Sequence, residues 1–342
     1  MRTNRKIVLT VLFLFAICLP FEVLAQEDTL RIYWCDVEGG AATLIVTPMG
    51  ESVLLDAGLP GERDPGRIHS LATKVAGLER IDHMISTHFD LDHYGGVADL
   101  SKLLPIVNYY DPGVPEKHDP KYVVPYIEAS KGKRKVVKAG DEITLIQDEE
   151  GPPLRLYCYG AAQRYLDAPD GTADNEECGA HEPMPPDTTE NANSTVFLLS
   201  YGPFKFLDAA DLSWELEKDL VCPRNPIGTV DVFQVDHHGL DVSNNPVLIH
   251  SVQPRVAVMN NGYSKGCGTR TVQTLRLTPS IEAVYQLHKN LPVGGNAPPA
   301  YIANLEKECS ANHVELSVSL DGKHYTVTIP ANGHRHSYAT KG

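Results

Sequence analysis

The stretch STHFDLDHYGG, Ser86 to Gly96, places His88, Asp90, Asp92 and His93 within six residues, directly behind the apolar run IDHMI. A divalent cation takes deprotonated carboxylates and neutral imidazoles in a tight, directional set, and these four side chains offer both. A loop leaving a strand turns alternate side chains toward one point, and a helix starting at once directs another inward. The competing reading is a solvated turn whose aspartates cap the helix. Two histidines bracketing two aspartates exceed what capping needs, so the stretch reads as most of a metal site.

Four ligands on one loop cannot enclose an ion, and two later places offer the rest. Asp208 and Asp211 follow the apolar run of FKFLDAAD, and the adjacent His237 and His238 follow the strand-like run of VDVFQVDHHG. Paired histidines after a buried strand are uncommon as mere packing residues. Three weaker candidates complete the set. Lys265, in NNGYSKG, follows another strand end and suits an anionic group; His288, ending VYQLH, could touch substrate; Tyr94 stands beside the ligands.

The elements that must carry these residues are short. LRIYWCDV, AATLIVT and SVLLDAG read as strands, followed by a helix from about Pro65 to Gly77, the strand IDHMIST, and a helix from about Gly95 to Leu104. Strand, loop and helix in that order put the polar cluster at the carboxyl end of a strand, where open α/β layers hold their ligands. From about residue 111 to 190 the chain is rich in Pro, Gly and charge. Only ITLIQ and LRLYCYG read as firm strands there, and the acidic Gln163–Thr189 piece reads as a covering loop or lid. STVFLLSYG and FKFLDAAD then form a hairpin, followed by the helix WELEKDL. The strand VDVFQVD, helix NPVLIHSV, strand RVAVMNNG, helix TVQTLRL and strand EAVYQLH come next, with a final hairpin from about Val314 to Ile329. Strands followed by helices in both halves predict two stacked sheets with helices outside, as one domain over residues 26–342.

The first 25 residues stand apart. Arg2, Arg5 and Lys6 precede an apolar run from Ile7 to Leu19, and Val23-Leu24-Ala25 is a small-residue cleavage pattern: a secretory leader, with a lipoprotein at Cys18 as the other reading. Its removal takes three basic residues and one acidic residue, moving the formal net charge from −14 to −16. Export is therefore expected, to the periplasm or the medium, with no membrane contact once the leader is cleaved. So acidic a chain gains no long-range help in approaching nucleic acid, and a nucleic-acid partner has to rest on the site itself; the partner expected is a small-molecule or phosphoester substrate. Cys35, Cys158, Cys178, Cys222, Cys267 and Cys309 remain, irregularly spaced; an oxidising compartment predicts some disulfides, with no pairing legible.

The ordered motifs DVEGG, LLDAG, THFDLDHYGG, NANS, FLDAAD and VDHHG, spread from about Leu30 to His288, resemble the metallo-β-lactamase-fold hydrolases. Within them they are most similar to the ComEC-like branch, the nuclease domain of DNA-uptake competence proteins. The resemblance implies an αββα sandwich binding one or two divalent ions. His88 and Asp90 would bind one ion, and Asp92 and His93 a second. Asp211 would bridge them, and His237, in preference to His238, would close the second site. Asp56 would steady the ligand loop, and Asp92 or Asp211 would orient the attacking water. Most of the family has histidine where Asp90 stands, and a further histidine of the first site has no counterpart; Asn191 stands there instead, as in the competence branch. That oxygen-rich set implies zinc or manganese. The expected activity is an exported, metal-dependent phosphoester hydrolase, phosphodiesterase or nuclease-like. Hydrolysis of a cyclic amide or ester, as in lactamases and lactonases, is the alternative, and a secreted metal-binding module without turnover is a third reading.

Overall fold

The computed structural model describes residues 29–291 and 295–342. The expected leader lies outside them. In chain order the first part comprises β1 (Arg31–Trp34), β2 (Thr43–Val46), β3 (Ser52–Leu55), α1 (Arg63–Ser70), β4 (Ile81–Ile85), α2 (Leu91–Tyr94), α3 (Val97–Leu103), β5 (Ile106–Asp111), α4 (Pro120–Ala129) and β6 (Arg134–Val136). The middle contributes β7 (Glu142–Ile143), β8 (Leu154–Ala161) and β9 (Arg164–Tyr165). Then follow β10 (Val196–Tyr201), β11 (Phe204–Asp208), α5 (Trp214–Val221), β12 (Val232–Gln234), α6 (Pro246–Val252), β13 (Val256–Met259), α7 (Thr269–Leu277) and β14 (Ala283–His288). The last elements are β15 (Ile302–Asn304), β16 (Val314–Val318), β17 (His324–Ile329) and β18 (His334–Ala339).

These strands make two sheets. One runs β18-β17-β16-β1-β2-β3-β4-β5-β6; the other runs β15-β14-β13-β12-β11-β10-β8-β7, with β9 paired to β8. The apolar runs explain how they stack. Most central strands lack polar alternation because both of their faces are buried. In β1, Ile32 and Trp34 enter the core between the sheets while Tyr33 enters the core under the first helices. In β13, Val256 and Val258 face the other sheet while Ala257 and Met259 face helices. Helices α1, α3 and α4 cover the first sheet through Ile68, Leu100 and Tyr126, and α5, α6 and α7 cover the second through Leu220, Ile249 and Leu275. The result is an αββα sandwich. Gln234 pins its layers together, its side-chain oxygen accepting from Trp34 Nε1 at 2.9 Å and Thr43 Oγ1 at 2.7 Å.

Several elements depart from the sequence reading, among them the edge strands β6, β15 and β18. The segment Ile106–Asp111 is a full strand, parallel to β4, although polar Asn108 interrupts its apolar run. Helix α4 occupies a proline-rich stretch, with Asp119 capping Lys121 N and Pro120 at the first turn. ITLIQ, by contrast, is strand only over Glu142–Ile143. The expected helix from Pro65 is α1, continued as a π-helical turn over Leu71–Val75. Among the described residues no helix is long and apolar enough to cross a membrane.

Candidate metal centre

Parallel strands β3 and β4 of one sheet, and β11, β12 and β13 of the other, deliver the candidate residues from their carboxyl ends. Asp56 leaves β3 in a left-handed conformation, φ 62°. Its carboxylate accepts from Thr87 N at 2.8 Å and Thr87 Oγ1 at 2.7 Å, and faces His93 Nδ1 at 2.7 Å. Having given its proton to Asp56, Thr87 Oγ1 can only accept from His88 Nδ1, 3.1 Å away. Both imidazoles are thereby set with the proton on Nδ1 and the lone pair on Nε2, the tautomer a metal needs. Asp56 and Thr87 thus orient the two imidazoles; Thr87 is the member that the motif reading missed.

Asp92 and His93 sit on the short turn α2. Asp90 precedes it and makes no side-chain capping hydrogen bond, so the capping explanation of the aspartates fails for it. Its Oδ2 lies 3.8 Å from His88 Nε2. The paired glycines have a packing reason: a Cβ on Gly96 would lie 2.0 Å from Ala57 O, and one on Gly95 would lie 2.6 Å from Pro60 Cδ. Only glycine lets this turn approach the end of β3 closely enough to bring His93 onto Asp56.

From the second sheet, Asp211 Oδ2 lies 3.2 Å from His93 Nε2, 3.3 Å from His238 Nε2 and 3.5 Å from His237 Nε2. His238 Nε2 is also 3.3 Å from Asp92 Oδ2. Asp208 instead turns back to accept from Ala210 N at 2.9 Å, bracing the loop that carries Asp211. Two ligand groups result, each with donor atoms within 4.8 Å of one another: His88, His93 and Asp211, and Asp92, His93 and His238. Of the histidine pair, His238 lies within one of these groups, while His237, the expected ligand, approaches only Asp211 of the ligand carboxylates. Both residues adopt left-handed backbone, φ 50° and 54°, which breaks strand alternation; His238 is fully buried while His237 turns its Nδ1 to Ser243 Oγ at 3.2 Å.

The remaining candidates divide. Lys265 Nζ pairs with Asp92 Oδ2. Asn191 is buried in the turn Glu190–Asn193, which the Thr195 N to Thr87 O hydrogen bond, 2.9 Å, ties to the ligand loop. His288 belongs to another cluster. Its Nε2 is 2.6 Å from Asp36 Oδ1, and Arg67 Nη1 compensates Asp36 at 3.0 Å. Tyr94 packs, its ring 5.0 Å from Phe89 and 5.8 Å from Tyr126. The Asn175–Met184 part of the expected lid finds its partners on the outer helices. Cys178 is disulfide-bonded to Cys222, and Trp214 Nε1 donates to Glu182 O at 2.8 Å.

Burial works against the Asp211 carboxylate, but His238, His93 and His237 hold it well below the usual carboxylate range. Burial likewise opposes a charged His93, and Asp211 and Asp56 hold it well above its ordinary value. Asp208 has no such partner, and burial pushes it up to about 7. Behind the histidine pair, burial also pushes Glu217 up to about 7 while it accepts from Asn244 N and Asn245 N, each at 2.7 Å. A proton on His93 is only one way to neutralise so many buried anions. His88 Nε2, Asp211 Oδ1 and Asn191 Oδ1 are buried acceptors with no hydrogen-bond partner, the arrangement a bound cation satisfies.

The metallo-beta-lactamase superfamily model matches residues 35–157, the stretch that carries Asp56, His88, Asp90, Asp92 and His93. That stretch is a metallo-β-lactamase superfamily domain. The superfamily is in general one of metal-dependent hydrolases. No curated protein matches its sequence. Among solved structures it is similar to CmlA, a diiron β-hydroxylase from Streptomyces venezuelae, with 16% identity over 67% of this chain and 44% of that one, TM-score 0.41. The match thus spans under half the length of the hydroxylase. It is also similar to MEM-A1, a subclass B3 metallo-β-lactamase from a soil metagenome library, with 16% identity over 75% of each chain and a TM-score of 0.35. A third is YhfI, a metallo-β-lactamase fold protein from Bacillus subtilis, with 11% identity over 75% of this chain and 96% of that one, TM-score 0.41.

Proposed function

We propose that the protein is an exported phosphoester hydrolase, phosphodiesterase or nuclease-like, working with zinc or manganese. The observation that carries this reading is the oxygen-rich donor set. Asp90, Asp92 and Asp211 accompany His88, His93 and His238, Asn191 is buried in the neighbouring turn with its side-chain oxygen unpartnered, and the Lys265 ammonium pairs with Asp92. Carboxylate and amide oxygens suit hard or borderline divalent ions, and a lysine beside them suits an anionic ester. His88, His93 and Asp211 would hold one ion, with Asp90 beside His88; Asp92 and His238, with His237 nearby, form the second group. Bound there, a divalent ion supplies a water of lowered pKa and polarises the ester oxygen under attack. Asp211, held ionised by its imidazoles, would orient that water, with Asp92 the other candidate. Export is supported by the leader pattern and by the Cys178–Cys222 disulfide, which an oxidising compartment maintains. Mass measurement of protein recovered from its host should show a chain starting near Gln26.

The reaction is tested by offering protein loaded with zinc or manganese a panel of aryl phosphodiesters, oligonucleotides, a chromogenic cephalosporin and acyl lactones. Metal-dependent turnover of a phosphodiester is expected, abolished by chelation. Turnover of the lactam or lactone alone would replace the phosphoester assignment. No metal-dependent turnover of any panel member would favour the non-catalytic metal-binding module.

A further inference from the structure

We propose that Lys265 takes the place of a second divalent ion, so that this protein holds one ion per chain, on His88, His93 and Asp211. The inference rests on the metal-binding reading above and says how that site is filled.

Three observations lead to it. The two ligand groups share His93 Nε2, whose single lone pair goes to one cation, so a second ion would have to rest on His238 and on the Asp92 and Asp211 carboxylates, each 3.3 Å from His238 Nε2. The group of Asp92, His93 and His238 already contains a positive charge, because Lys265 Nζ pairs with Asp92 Oδ2, the oxygen that also faces His238 Nε2 at 3.3 Å. An ammonium and a dication competing for the same carboxylate oxygen repel one another in a half-buried cleft. The group of His88, His93 and Asp211 contains no lysine or arginine, and it is there that His88 Nε2 and Asp211 Oδ1 are left without partners.

Lys265 is not a loose surface lysine that happens to reach Asp92. Its carbonyl accepts from Gly262 N at 3.0 Å and from the buried Asn290 Nδ2 at 3.2 Å. Asn290 Nδ2 also donates to Gly262 O at 3.2 Å. Gly262 in turn lies so close to the β1–β2 loop that a Cβ there would sit 2.6 Å from Glu38 O. That loop is joined to the ligand turn, since Ala41 N donates to Asp92 O at 3.0 Å. The main chains of Lys265 and Asp92 are thus held in one hydrogen-bonded unit. The same device recurs one cluster away, where Arg67 sits against Asp36 and Glu38 beside His288 and supplies the charge that a metal would otherwise bring.

The test counts ions. Protein equilibrated with excess zinc or manganese and then desalted is assayed by elemental analysis, and the manganese form by electron paramagnetic resonance. One ion per chain is expected in the wild type, with the spectrum of an isolated manganese ion. Lys265→Met, which keeps the stem and removes the charge, should rise to two ions per chain with the broadened spectrum of a coupled pair. Lys265→Arg, which restores the charge, should return to one. Circular dichroism and a cooperative melt establish that each variant is folded, as expected for a side chain about 36% exposed. Two ions in the wild type, or a single ion in folded Lys265→Met, would overturn the proposal while leaving the metal-dependent hydrolase intact. No ion in any form would remove the metal-binding reading itself.

Discussion

Asp208 and Asp211 lie three residues apart after one strand, yet their surroundings assign them opposite chemistry. Asp211 faces three imidazoles and stays ionised; Asp208 faces a backbone N–H and is pushed by burial up to about 7. Asp211→Asn keeps the size and removes the charge that a cation and its water need. It should cost at least two orders of magnitude in turnover, about 3 kcal/mol of transition-state stabilisation. Asp208→Asn imitates a form already populated near neutral pH and still accepts from Ala210 N, so its effect should stay within a few-fold. Rates, metal content and melting temperature measured together distinguish lost chemistry from a lost fold. Equal, mild effects at both positions would reject the assignment. Much of this was legible from the residues. His88, Asp90, Asp92 and His93 announce themselves by density, whereas the apolar run of FKFLDAAD offers Asp208 and Asp211 alike and only the family resemblance separates them. The choice between His237 and His238 was not legible, because two successive left-handed residues abolish the alternation that would say which points inward. Nor was the Asp36–His288 pair, whose members are 252 residues apart.

At the scale of elements, the carboxyl ends of strands act as brackets for single side chains, and helices α5–α7 carry a strap. Residues Asn175–Met184 are fastened to α5 by Cys178–Cys222, by His181 Nε2 to Glu215 Oε2 at 3.0 Å, and to α7 by Arg270 to Glu182 at 2.7 Å. The disulfide closes a loop of 44 residues, for which the loss of unfolded-state entropy is worth about 2–4 kcal/mol. The Cys178→Ser, Cys222→Ser double variant should therefore melt several degrees lower, as should wild type under reductant. Its metal content should be unchanged, because the strap touches none of the ligand groups. A fall in metal content would show that the strap reaches the cleft. The strap's length and acidity were plain in the sequence, but its anchoring was not, since six irregularly spaced cysteines permit many pairings. Strands with both faces buried were readable from their apolar runs. The edge strand β18 was not, because only Tyr338 of its six residues is buried and its solvent-facing positions carry no pattern. Helix α4 was obscured by Pro125 within it, although Asp119-Pro120 is a helix-start signal.

At the scale of the whole molecule, the cleft and the surface make opposing electrostatic demands. Lys265 and a bound cation would attract an anionic ester at short range. At low ionic strength, where screening is weak, the net charge governs longer-range approach, and that is −14 for the full sequence and would be −16 without the expected leader. A small phosphodiester carries one charge and meets mainly the cleft. A long nucleic acid brings a dense line of phosphates against an acidic surface and gains little from the counterion release that drives most protein–nucleic acid binding. At low ionic strength kcat/KM should thus be higher for a small phosphodiester than for a long single strand. Raising salt from about 20 to 200 mM should narrow the gap by screening the repulsion. The sign is diagnostic, because a surface built for polyanions loses affinity steeply over that range. Steady-state rates on both substrates across the salt series, at fixed metal concentration, decide it. A polymer rate that falls with salt by an order of magnitude or more would mean that a local basic track outweighs the net charge, and would assign the long chain, not the small ester, as the substrate.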